Sequence, residues 1–183
     1  KIITSGGGGI ILLDDEKLYR RAKYLTTQAK NDPIYFVHDE IGYNFRLTNV
    51  QAAIGLAQLE QLPRFLKVKK DINKGYKALI KNNENFRIAN TPSYSQNNHW
   101  LNILQIRNVS EKTNVEKLMH SLEEKGIQTR PVWKLNHLQA PFKSCQSYEI
   151  KKAINSINSS LCLPSSVNLN NDDLLRIVES LNE

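Results

Sequence analysis

Cysteine is nearly absent: Cys145 and Cys162 are the only two, 17 positions apart, with no CxxC spacing and no histidine adjoining either. That pattern speaks against a disulfide framework and against a zinc site, so no metal and a reducing, cytoplasmic setting are expected. Long apolar runs are missing too. The best candidate, Gly9 to Leu13, falls far short of the ~18 residues a membrane span needs, so no membrane partner is expected. No charged-then-apolar leader is expected. Aromatic residues are few (8%) and do not interleave with the basic ones as stacking platforms would require. The formal net charge of +7 therefore reads as solvated helix faces carrying Lys17, Lys23, Lys67, Lys69, Lys70, Lys74, Lys77 and Lys81, and no nucleic-acid partner is expected. The same positive field suits a phosphorylated metabolite. An initiator methionine is lacking as well: the chain opens on Lys1, and the expectation is the later portion of a larger protein.

What is present is a chain of 183 residues, 40% hydrophobic, enough for one or two domains. Ile10 to Leu13 reads as a short buried strand. Asp14 or Asp15 then caps a helix running to about Ala29, with Leu18, Ala22 and Leu25 as its apolar stripe, ended by Asn31, Asp32 and Pro33. Residues 34 to 47 have no period and read as an irregular loop of the length that usually carries function. Thr48 and Gln51 form a capping box for a helix from Asn49 to Leu62, whose buried side is expected at Ala52, Ala53, Leu56, Leu59 and Leu62. Pro63 interrupts, and a basic amphipathic helix follows from Arg64 to Lys81. After Asn82 to Asn85 the composition changes. Strands are expected at Phe86 to Ala89, Trp100 to Arg107 and Ile127 to Trp133, and helices at Asn114 to Lys125 (stopped by Gly126), Tyr148 to Ile157 and Asp172 to Leu181.

Three clusters carry candidate chemistry. Lys1 stands before Gly6 to Gly9, a run that is neither a P-loop nor a dinucleotide fingerprint; taken alone, a flexible turn is the better reading. The loop His38 to Arg46 gathers a histidine, an amide, a guanidinium and two aromatics directly before the capped helix. Asn44 can donate to a phosphate oxygen, and Arg46 can grip a carboxylate or phosphate with both arms of its fork; a purely structural loop is an equal reading. A predicted strand end then supplies Arg130, Trp133, Lys134 and His137, suited to a charged ligand bearing a ring, although Trp133 could equally be core.

Together these motifs bring a family into view. Lys1-Ile2-Ile3-Thr4-Ser5 with its glycines, Gly42-Tyr43-Asn44-Phe45-Arg46-Leu47 running into Gln51-Ala52-Ala53-Ile54-Gly55 and Gln58-Leu59, then Arg130-Pro131, His137 and Leu163-Pro164-Ser165, resemble the DegT/StrS family of nucleotide-sugar aminotransferases that depend on pyridoxal 5'-phosphate (PLP). The resemblance implies an α/β protein of PLP-dependent transferase fold type I, aspartate aminotransferase-like. This chain would be its C-terminal half, with the end of the large PLP-binding domain over residues 1–82 and a small α+β domain over 83–183. It implies that Lys1 is the catalytic lysine that bonds to PLP and moves the proton; the family's dehydratase branch has histidine there. It implies that Asn44 reaches the cofactor phosphate of the neighbouring subunit, in a homodimer with shared active sites. His38, Arg46, Arg130, Trp133 and His137 fall where the substrate is gripped, a nucleotide-linked keto-deoxysugar aminated at the expense of an amino-acid donor, expected to be glutamate. One departure is Gly6 to Gly9 where many members carry Gly-Glu-Gly-Gly. The wording from Arg130 to His137 looks most like the branch that aminates UDP-4-keto-6-deoxy-N-acetylhexosamines for surface glycans. The group facing the pyridine nitrogen and the ring-stacking aromatic would lie outside this chain. A non-catalytic binding protein on the same fold is the alternative, and a basic nucleic-acid-binding domain a weaker third.

Overall fold

Asp15 opens the first helix, α1 (Glu16–Thr26), by accepting hydrogen bonds from the backbone N–H of Lys17 at 2.7 Å and Leu18 at 3.0 Å. Two of the donors that a helix start leaves unpaired are thereby satisfied. The helix ends at Thr26, ahead of the expected Ala29, because Gln28 (φ 73°) and Ala29 (φ 48°) take the left-handed conformation, which cannot continue a right-handed helix. A hairpin follows, β1 (Lys30–Asp32) against β2 (Val37–His38). Asp32 Oδ1 ties its bend by accepting from the N–H of Ile34 at 2.7 Å and Tyr35 at 2.9 Å. The computed structural model describes residues 1–32, 34–110 and 114–182, so Pro33, expected to help end α1, lies outside the described residues.

Thr48 and Gln51 close the expected capping box, each backbone N–H donating to the other's side chain at 3.2 Å, and start α2 (Asn49–Glu60). Two expectations fail in this part of the chain for one physical reason. Ile10 to Leu13 forms no strand, and Ile10 and Leu12 are each 82% exposed. Helix α2 buries no residue, with Leu56 60% and Leu59 55% exposed. A strand exists only through pairing, and an apolar stripe is buried only against a facing element. Neither surface has such a neighbour among the described residues of the first compact unit, Lys1–Pro63.

The second compact unit, Arg64–Glu183, holds an extensive core. Helix α3 spans Leu62–Leu79. Pro63 sits in its first turn, where a missing N–H costs nothing, so it starts the helix instead of interrupting it. Its buried residues Phe65, Lys69, Ile72, Asn73 and Tyr76 recur at helical spacing on one face. Strands β3 (Phe86–Ile88), β4 (Asn102–Ile106), β5 (Arg130–Pro131) and β6 (Ser160–Leu163) form an antiparallel sheet in the order β3-β4-β6-β5. The expected strand at Ile127 to Trp133 shrinks to two residues, since Pro131 has no N–H to give the ladder.

Along β4 the side chains alternate. Asn102, Leu104 and Ile106 are buried, whereas Ile103 and Gln105 are partly open. On the buried face Leu104, Ile106, Phe86, Ile88, Leu161 and Leu163 meet α3, α4 (Val115–Glu124) and α6 (Asn171–Glu179). Each such leucine contributes roughly 1.5–3 kcal/mol by leaving water. Helices α3 and α6 approach closely at Gly75, where an added Cβ would lie 2.7 Å from Leu174 Cδ1. Gly126 stops α4 at φ +72°, as expected of a helix C-terminus. The opposite face of the sheet looks toward α5 (Lys151–Asn158) and is not closed over. The compositional change after residue 82 and the boundary between compact units at Pro63 therefore fall at different places. Most of α3 lies after Pro63, and its apolar stripe belongs to the second core.

Candidate active site

In the first unit the glycine turn is a folded object. Ser5 Oγ donates to the Gly7 carbonyl at 2.6 Å, and the Gly6 N–H donates to Thr4 Oγ1 at 3.0 Å. Gly6 and Gly8 take φ of +77° and +108°, and a Cβ on Gly7 would come within 2.9 Å of Gln51 Nε2. The turn thus lies against the start of α2, which requires residues without side chains.

The Asn44 loop is laced to the end of α1. Tyr43 N–H donates to the Leu25 carbonyl at 2.7 Å, Phe45 N–H to Thr26 at 3.0 Å, and Gln28 N–H to Tyr43 at 3.0 Å. Gly42 makes the lacing possible: a Cβ there would stand 2.3 Å from the Ala29 nitrogen. The rings of Tyr43 and Phe45 stack at 5.1 Å. Beyond the loop, Arg21 and Glu40 form a two-armed ion pair, with Nη2 to Oε2 at 2.6 Å, which raises the guanidinium and holds the carboxyl below its ordinary range.

Asn44 and Arg46 are brought together in a cavity of 780 Å³. Gly8, Gly9, Thr26, Lys23 and Gln51 join them there, and Leu13, Phe45 and Leu47 supply apolar wall. Its described lining holds two amides, a guanidinium, an ammonium and hydroxyls but no carboxylate, a donor set that fits an anionic phosphate beside an apolar ring. Sequence reasoning overlooked Tyr19, Lys23 and Thr26, although their spacing of four and three puts them on one face of α1. Lys1 is exposed and is not part of this lining. His38 stands apart on β2, its Nδ1–H donating to the Gln28 carbonyl at 2.7 Å, which leaves Nε2 for another partner.

In the second unit the predicted residues divide between two cavities. Trp133 and His137 share one of 920 Å³ with Lys134, Asn136, Phe142 and Cys145, over the open face of the sheet at Ile103 and Gln105. The Trp133 ring lies 5.7 Å from that of Trp100. Arg130, exposed on β5, borders a separate cavity of 230 Å³ with Glu123, Gln128 and Thr129.

These parts can be set against known proteins. Residues 1–182 match the sequence profile of the DegT/DnrJ/EryC1/StrS aminotransferase family. The chain belongs to that family. GDP-perosamine synthase of Escherichia coli O157:H7 is 34% identical over 186 residues, 100% of this chain and 49% of that protein. Among solved structures, the aminotransferase TlmJ of Streptoalloteichus hindustanus has a TM-score of 0.81 at 20% identity, over 99% of this chain and 48% of that one. The Streptococcus pneumoniae protein Spr1654 in its PLP form has a TM-score of 0.75 at 19% identity, over 94% and 44%. The chain spans about half the length of the curated relatives it matches. The fold is that of the PLP-dependent fold type I enzymes, and PLP is the cofactor that goes with the family. Among the described residues no helix is long and apolar enough to cross a membrane.

Proposed function

We propose that this chain is the C-terminal portion of a PLP-dependent aminotransferase that aminates a keto carbon of a nucleotide-linked deoxysugar. What carries the reading is the family match over residues 1–182 combined with the carboxylate-free cavity around Asn44 and Arg46. When bound, PLP supplies an electron sink for the carbon that exchanges the amine. The rest falls to the protein. Lys1 Nζ would hold the cofactor and would move the proton, a task suited to a mobile primary amine. Asn44 donates its amide N–H to the cofactor phosphate of the partner subunit, so the working unit is a homodimer with shared active sites. The exposed apolar surface of α2 supports that arrangement. Arg46, Arg130, Trp133, His137 and His38 are the side chains assigned to binding the substrate, Trp133 by stacking on a ring. The amino donor, glutamate, leaves as its keto acid, and the keto carbon of the sugar becomes an amine. A UDP-linked 4-keto-6-deoxy-N-acetylhexosamine destined for surface glycan is the substrate proposed, within the cytoplasm.

Borohydride reduction of the complete enzyme, followed by peptide mapping, tests the assignment. The cofactor should be fixed on Lys1, and the Lys1→Ala enzyme should neither retain it covalently nor transfer nitrogen. Attachment at another lysine, or turnover by Lys1→Ala, overturns the reading. Turnover of a GDP-linked but not a UDP-linked keto sugar would overturn the nucleotide proposed.

A further inference from the structure

Among the described residues Lys69 is the one charged side chain in the buried set, 6% exposed. Its ammonium donates to the Ser165 carbonyl, to Ser165 Oγ at 3.2 Å and to the Trp100 carbonyl at 3.4 Å, with no carboxylate among these partners. Burial lowers its pKa. A buried charge held only by neutral oxygens is a costly way to fasten a helix to a sheet, and apolar packing would hold them at least as well. What the ammonium adds is direction.

The fixed object is the backbone at Trp100. Its carbonyl accepts from Lys69 and also from Ser165 Oγ at 3.0 Å. Ser165 Oγ in turn accepts from Asn102 Nδ2 at 3.1 Å, and Asn102 Oδ1 accepts from Asn73 Nδ2 at 2.9 Å. Every polar atom of Ser165 Oγ and Asn102 named here is used, as a network that specifies one arrangement requires. The Trp100 ring then lies 5.7 Å from Trp133, at an interplanar angle of 38°. Trp133 is 63% exposed, two residues beyond a two-residue strand, on the wall of the 920 Å³ cavity.

We propose that the network of Lys69, Ser165 and Asn102 is a positioning device that orients Trp133 for the nucleotide-linked substrate, acting through the Trp100 backbone and ring. The inference rests on the reading above that Trp133 stacks on that substrate. Lys69 touches no substrate; it is a positioning residue.

The test uses the complete enzyme labelled with 5-fluorotryptophan, the two resonances being assigned with Trp100→Phe and Trp133→Phe. Lys69→Met keeps the length of the side chain and removes its charge. It should shift both resonances and raise KM for the nucleotide sugar about tenfold, the loss typical of a displaced aromatic anchor. kcat and the KM of the amino donor should stay within about twofold, since the network serves only the sugar site. Ser165→Ala should move both readouts in the same direction, and it carries the test if Lys69→Met fails to fold. Tyr76→Phe is the control. It removes a bond from the same helix face to the Pro164 carbonyl but none to Trp100, so neither resonance should move. A Trp133 resonance unmoved in both Lys69→Met and Ser165→Ala overturns the proposal, as does a shift without a change in KM. The resonances need no substrate, so they judge the coupling even if no nucleotide sugar is turned over, a result that would count against the proposed function instead.

Discussion

Gly42→Ala is the sharpest perturbation the first unit offers. The added methyl would lie 2.3 Å from the Ala29 nitrogen, 2.5 Å from the Gln28 carbonyl carbon and 2.8 Å from Ala29 Cβ. Ala29 is itself fully buried, so it has no free space into which to retreat. Two of the three obstacles are backbone, and the bonds Gln28–Tyr43 and Tyr43–Leu25 would be displaced with them. Overpacking commonly costs ~1–3 kcal/mol, and a backbone clash belongs at the upper end. A loss of ~3 kcal/mol corresponds to amide exchange on the order of a hundredfold faster at Gln28, Tyr43 and Phe45, since every 1.4 kcal/mol is tenfold. Hydrogen exchange resolved by residue is the suitable assay, because a chain with two compact units need not melt in one step. Ala29→Gly supplies the internal check. It removes only the 2.8 Å contact and relieves the left-handed Ala29, so the double variant should recover part of the loss and not all of it. Exchange unchanged in Gly42→Ala, or complete rescue in the double variant, would refute the backbone-clash account.

Leu104→Ala, in the centre of the second core and fully buried, should destabilise that unit by ~2–5 kcal/mol in a urea titration. Asn44→Ala should weaken PLP binding by roughly tenfold or more in equilibrium dialysis, as expected for loss of one hydrogen bond to a charged phosphate. His99 offers a pH test: burial, together with Lys77 and Lys70, pushes its pKa below the ordinary 6.5, and its Nδ1 is buried without a partner. The unfolded chain therefore takes up the proton first, and stability falls as pH drops through and below 6.5. His99→Asn, compatible with the φ of 50° at this site, should flatten that slope between neutral and mildly acidic pH; an unchanged slope would clear His99 of responsibility. With an aromatic disulfide reagent, exposed Cys145 should react at once and Cys162, buried and with its thiol pushed up, only on unfolding.

Local signals in the sequence carried to the structure wherever the physics is local. The Asp15 cap, the Thr48–Gln51 box and the Gly126 stop each involve groups within three or four residues, and all three formed. Signals that depend on a distant partner did not carry. Ile10 to Leu13 has the composition of a buried strand and pairs with no strand among the described residues, and the apolar positions Leu56 and Leu59 of α2 are exposed. Strand β6 was legible only as the motif Leu163-Pro164-Ser165, because a continuous apolar run of three residues has no period to read. The same division holds for the site. Asn44 and Arg46 alternate along an extended loop and meet in one cavity, while the assignment of Arg130 and Trp133 to different cavities follows from β5 being two residues long. The Lys69 network spans 96 positions of sequence and left no local trace.

Helix α2 has a further consequence. It is closed at its start by its own two side chains and owes none of its shape to burial, yet Val50, Ile54, Leu56 and Leu59 are all exposed. A partner that covered those residues would meet a helix already formed. Little ordering entropy remains to be lost at that encounter, so association there is limited by finding the right orientation and not by folding. Weakening the cap with Thr48→Ala would move that cost from the isolated chain to the moment of contact.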